Sequence, residues 1–102
     1  MKITVQSIHF NADAKLLEFI QKKANKLDQF SDQIISGNVY LKLENVEDEM
    51  NKIVEVKIQI PGAALFAKSQ SKTFEEAMDL SVDSLKKQID KHKQKSRNNI
   101  NL

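Results

Sequence analysis

The chain has 102 residues with a hydrophobic content of 40%, enough for one domain with a modest core. It has no cysteine, which excludes a disulfide framework and a thiol nucleophile, and no apolar run near the ~18 residues of a membrane span. Sixteen Lys and Arg against fourteen Asp and Glu leave a formal charge of only +2. Any cationic surface must therefore come from where the charges sit rather than from their sum.

The start, MKITVQSIHF, lacks the apolar run of a signal peptide, so a cytoplasmic location and no membrane partner are expected. Residues 2–9 put Ile3 and Val5 on one face, the period of a short strand. Asp13 stands where its carboxylate can accept from the first free N–H groups of a helix. Over 14–30, Leu16, Leu17, Ile20, Ala24 and Leu27 follow helical spacing and predict one buried stripe. Lys15, Lys22 and Lys26 share an outer face of that helix.

Gly37-Asn38 reads as a turn. Val39, Leu41 and Leu43 then alternate with Tyr40, Lys42 and Glu44 as a half-buried strand. The acidic segment NVEDEMN, 45–51, reads as a hairpin loop. Ile53, Val54, Val56, Ile58 and Ile60 form the next strand, ended by Pro61-Gly62, and a further strand covers 63–69. Short links between these strands predict an antiparallel meander. Thr73-Phe74-Glu75-Glu76 is a capping box, and Phe74, Met78, Val82, Leu85 and Ile89 form a buried helical stripe behind it. No Gly or Pro stops this helix after Ile89. From Thr73 to Lys95 it would run over about 30 Å, with its basic end projecting past the sheet or lying along its edge.

The predicted order is β-α-β-β-β-α. The fold class is α+β, a four-stranded sheet with two helices packed on one face, the layout of double-stranded RNA-binding domains. One binding domain is expected over 1–95, followed by a short flexible tail at 96–102.

Chemistry for catalysis is missing. His9 and His92 are far apart and no zinc-ligand spacing exists. The only glycines are Gly37 and Gly62, which excludes a dinucleotide fingerprint and a phosphate-binding loop. Glu44, Glu47, Asp48 and Glu49 lack the spacing and glycine of a calcium loop. The expectation is a binding protein with no catalytic residues, cofactor, metal or small-molecule substrate.

The segment KKQIDKHKQKSR, 86–97, carries Lys86, Lys87, Lys91, Lys93, Lys95 and Arg97 against one acid, Asp90. Cations at a helix C-terminus complement its dipole and suit a merely solvated end. These cations, however, repel one another with little carboxylate pairing. Lys86, Lys93 and Arg97 line one flank, and Lys87, Lys91 and Lys95 another. With Lys15, Lys22, Lys23 and Lys26 of the first helix they converge if both helices share a sheet face. A phosphate backbone is the natural partner. There is no Trp and one Tyr, so recognition by backbone and shape of structured RNA is expected rather than base reading. A general structured-RNA module and a protein-interaction domain for an acidic partner are the alternatives.

The chain resembles the ribosome hibernation promoting factor family, which includes ribosome-associated inhibitor A. The resemblance is carried by F-x-x-x-K-x-x-K-L-D-Q-F at 19–30, V-Y-L-K-L-E at 39–44, A-x-S-x-S-K-T-F-E-E-A-M-D at 67–79 and L-K-K-Q-I-D-K-H-K-Q-K at 85–95. It implies a non-enzymatic factor that binds the small ribosomal subunit, through 16S rRNA within the 70S ribosome. The site implied is the channel for messenger and transfer RNA, and the effect a block on translation in stationary phase or stress. By position, it implies RNA contacts at Lys22, Lys23 and Lys26 on the first helix. On the second it implies Lys86, Lys87, Lys91, Lys93 and Lys95, with His92 between them. Long members of the family carry a second, C-terminal domain. As read, the sequence stops at Leu102 without one, so the short form is expected.

Overall fold

The computed structural model describes residues 2–44 and 49–100, with 95–100 as backbone only. Strand β1 spans Lys2–Ile8, helix α1 Ala14–Asn25, and a 3-10 turn Lys26–Gln29. Strands β2 (Ser36–Leu43), β3 (Lys52–Ile60) and β4 (Ala63–Ser71) follow, and helix α2 runs Phe74–Ile100. The sheet order is β1-β2-β3-β4. β1 pairs parallel to β2, and the other two pairings are antiparallel. This is the α+β layout expected, with both helices on one face.

Alternation decides which residues meet the helices. The register places Val5, Val39, Val56 and Ala67 in one row across the sheet, and Gly37, Ile58 and Leu65 in the next. Ile20 and Ala24 descend from α1, Leu27 from the 3-10 turn, and Phe74, Met78, Val82, Leu85 and Ile89 from α2, all buried as their spacing predicts, whereas Leu16 and Leu17 of the same stripe are half-buried. Ser81 is also fully buried, and its hydroxyl is satisfied by Ser69 Oγ at 3.0 Å. The Phe10 and Phe74 rings stack at 5.3 Å, tying the β1–α1 connection to the start of α2.

The predicted Asp13 cap forms, and so does the hydroxyl half of the capping box at Thr73. Asp13 Oδ1 accepts from Leu16 N–H at 2.8 Å, and Thr73 Oγ1 accepts from Glu76 N–H at 3.0 Å. The first helix differs from the 14–30 prediction, because its α-helical part stops at Asn25 and the rest is the 3-10 turn. Phe30 N–H donates to Leu27 O at 3.0 Å. The tighter winding satisfies carbonyls that a helix end would leave free. It keeps Leu27 in the core and half-buries Phe30. No Gly or Pro marks this change.

Gly37 corrects the turn reading. It lies within β2, buried, between Ile3 and Ile58. A Cβ there would meet Ile58 Cδ1 at 3.0 Å and Ile3 Cγ1 at 3.4 Å, so this glycine serves close packing. Gly37→Val is expected to cost about 1–3 kcal/mol by overpacking, read as a lower urea midpoint with an unchanged m-value. Gly62, at φ 78°, does make the expected turn between β3 and β4.

The β2–β3 link holds together near its base. Glu44 N–H donates to Asn51 O at 2.9 Å, and Gln70 Nε2 donates to Glu44 Oε2 at 2.6 Å. The acidic-loop residues 45–48 lie outside the described residues.

Candidate nucleic-acid interface

The candidate surface is the outer side of the helical layer. α1 buries Ile20 and Ala24, and the 3-10 turn that follows it buries Leu27. Helical spacing then turns Lys22 and Lys26 outward and Lys23 toward α2. On α2, residues 79, 86 and 93 follow a seven-residue repeat along the flank that meets α1. Lys87 lies on the outer side, and Lys91 toward β4. The two helices thus carry Lys22, Lys26 and Lys87 on their outer side, Lys23, Lys86 and Lys93 between them, and Lys91 on the side toward β4.

The geometry divides those lysines into two groups. Lys23, Lys86 and Lys93 line the crevice between the helices, and each is held by the protein. Lys23 Nζ pairs with Asp79 Oδ1 at 3.1 Å and lies 5.4 Å from the Phe19 ring centroid. Lys86 Nζ lies 5.3 Å from the Phe30 ring centroid, a cation–π contact. Lys93 Nζ donates to the Phe30 carbonyl. Lys22, Lys26, Lys87 and Lys91 are exposed. None of the ion pairs among the described residues includes them. These four present exposed ammonium groups on the surface.

Phe30 and Asp79 are the residues that sequence reading missed. Phe30 contacts α2 lysines through both its ring and its carbonyl. The Phe19–Lys23 spacing of four is a readable local signal. The contacts of Phe30 join distant parts of the chain and leave none.

His92 sits elsewhere than in an open phosphate row. It is half-buried, sharing a shallow hollow at the β4 edge with Leu65, Gln88 and Lys91. Gln88 Nε2 donates to Phe66 O at 2.8 Å and anchors this side of α2 to β4. Lys95 and Arg97 belong to the helix, but their side chains lie outside the described residues.

Charge along α2 is graded. Glu75, Glu76, Asp79 and Asp83 occupy its first turns, and the lysines follow Leu85. Both signs match the helix dipole. Only Asp90 interrupts the basic half, so the positive field is concentrated over the second half of the layer. No group of His, Asp or Glu among the described residues could hold a metal ion. No helix among them is long and apolar enough to cross a membrane.

Known proteins are similar to this chain in sequence and in fold. The ribosome hibernation promoting factor of Pseudomonas putida is 26% identical over 93% of this chain and 89% of its own length. That of Escherichia coli is 28% identical over 93% and 96%. A ribosomal subunit interface protein from Coxiella burnetii shares the fold, with a TM-score of 0.78 at 23% identity over 92% of this chain and 99% of that one. The N-terminal domain of Thermus thermophilus Protein Y also does, with a TM-score of 0.75 at 20% identity over 90% and 99%. The family model described as Sigma 54 modulation protein / S30EA ribosomal protein matches residues 3–97, and this chain belongs to that family.

Proposed function

We propose that this protein is a ribosome hibernation factor. It binds 16S rRNA of the small subunit in the messenger and transfer-RNA channel and stops translation in stationary phase or stress. The observation that carries this reading is the exposure of Lys22, Lys26, Lys87 and Lys91 on the two-helix layer. The names of the similar proteins support the ribosome as the target. In this reading, residues 1–95 form the binding domain, α2 continues beyond it to Ile100, and the protein acts in the cytoplasm without a cofactor. The four outward lysines and Lys95 contact phosphates. Lys23, Lys86 and Lys93 set the shape and potential of the crevice, and His92 borders the surface.

The reading is tested by sedimenting purified ribosomes with the protein through sucrose at several salt concentrations. With about five phosphate contacts and a slope of ~0.7–0.9 each, log K should fall by ~3.5–4.5 per tenfold rise in salt. A flat dependence would remove the lysine surface as the binding site. Co-migration with ribosomes should also accompany inhibition of a cell-free translation extract. A general RNA-binding module would instead bind unrelated structured RNA equally well and leave translation running.

A further inference from the structure

The face of the sheet turned away from the helices carries its own charge pattern. Alternation assigns to it Lys2, Thr4 and Gln6 of β1, Asn38, Tyr40 and Lys42 of β2, Glu55 and Lys57 of β3, and Phe66 and Lys68 of β4. A sheet with one solvated face needs only polar residues there. Apart from Ile8 and the buried Ile53 at one end of this face, two features depart from that. Phe66 is 51% exposed. The charged residues are four lysines and one carboxylate, and that carboxylate, Glu55, is paired with Lys42 Nζ at 2.7 Å.

The register places these groups together. Lys57 lies directly opposite Phe66, and Lys68 is the next residue of β4 on the same face. Tyr40 lies opposite Glu55, which in turn lies opposite Lys68. An exposed aromatic residue therefore has two exposed lysines as neighbours on the open sheet face. The backbone under it is fixed, because Gln88 of α2 donates to the Phe66 carbonyl at 2.8 Å.

We propose that this open sheet face binds a segment of single-stranded RNA, with a base stacked on Phe66 and the flanking phosphates met by Lys57 and Lys68. Rings that stack bases beside a cationic track are how sequence-tolerant single-strand sites are built. The charge argues for a polyanion. A second copy would bring the same excess of lysines against this one and be repelled. An added β-strand is disfavoured beside Phe66, because Gln88 already occupies its carbonyl. The surface lies on the opposite side of the sheet from the helical lysines, so it adds a second RNA contact to the one proposed above.

The chain contains no tryptophan, so Phe66→Trp installs a single indole as a reporter. The probe is an oligouridylate of about 12 nucleotides, within the range of single-strand sites, titrated at low salt. Indole fluorescence should be quenched saturably, with an affinity within about threefold of the unmodified chain measured by anisotropy of labelled oligouridylate. Phe66→Ala should weaken binding roughly tenfold. The pair Lys57→Glu and Lys68→Glu should weaken it further, whereas Lys87→Glu with Lys91→Glu should leave the quenching in place. Circular dichroism confirms that each variant is folded. Binding without quenching would assign the oligonucleotide to the helical layer and overturn the proposal. Absence of binding would also overturn it and leave the face to an acidic protein. Sedimentation of the unmodified chain with ribosomes is a separate measurement, so failure here leaves the hibernation reading standing.

Discussion

Reversing Lys22, Lys26, Lys87 and Lys91 to glutamate is expected to abolish ribosome binding and leave the domain folded. All four side chains are exposed, and none takes part in the ion pairs among the described residues. Glutamate is as good a helix former as lysine, so the helices keep their local preference and the core is untouched. Four lost contacts at ~0.5–1 kcal/mol each amount to about 2–4 kcal/mol. Four new repulsions add to that, so affinity should drop on the order of 10³-fold. The variant should remain in the light fractions of a sucrose gradient and leave a cell-free extract translating. Reversing Lys72 is the control, because it lies in the β4–α2 turn and pairs loosely with Glu49 at 3.8 Å. If the fourfold variant is folded and still stops translation, the basic layer is only a solvated surface.

The second large effect is on stability. Leu85 is fully buried in the core cluster with Val56, Ala67 and Met78. Leu85→Ala removes buried methyl groups and leaves space that the packed sheet cannot close, which costs ~2–5 kcal/mol. For a domain of this size that lowers the melting temperature by about 10 °C or more. Lys91→Ala, two turns along the same helix but exposed, should stay within ~0.5 kcal/mol of the original. Thermal melts followed by circular dichroism compare the two directly. The reverse order of effects would mean that the face of α2 turned to the sheet is misassigned.

The two groups of lysines bear on how the surface works. An exposed lysine must give up side-chain entropy to meet a phosphate. Lys86 and Lys93 have already given up part of theirs to Phe30, so less ordering remains on binding, but their contacts with Phe30 compete with phosphate. The lysines that the resemblance treats alike therefore differ in surroundings: Phe30 holds Lys86 and Lys93, Asp79 holds Lys23, and Lys22, Lys26, Lys87 and Lys91 are exposed.

The order of elements was legible from the sequence because each is specified locally. The stripe Phe74, Met78, Val82, Leu85 and Ile89, the cap at Thr73 and the alternation from Val39 to Ile60 depend on neighbours a few residues away. The cationic end of α2 was legible for the same reason, since charge density along one helix is read directly. Misreadings came where a residue answers to something distant in the chain. Gly37 has the local look of a turn, yet it is glycine because Ile58 and Ile3 approach from neighbouring strands. The α-helix stops at Asn25 without a breaker because a 3-10 turn keeps Leu27 buried and sets Phe30 against α2. The tertiary structure alone decided which lysines are held and which are presented, since Phe30 and Lys93 meet only after both helices pack on the sheet. It also decided that Phe66, Lys57 and Lys68 share an uncovered face, because register between strands is fixed by the pairing of the whole sheet.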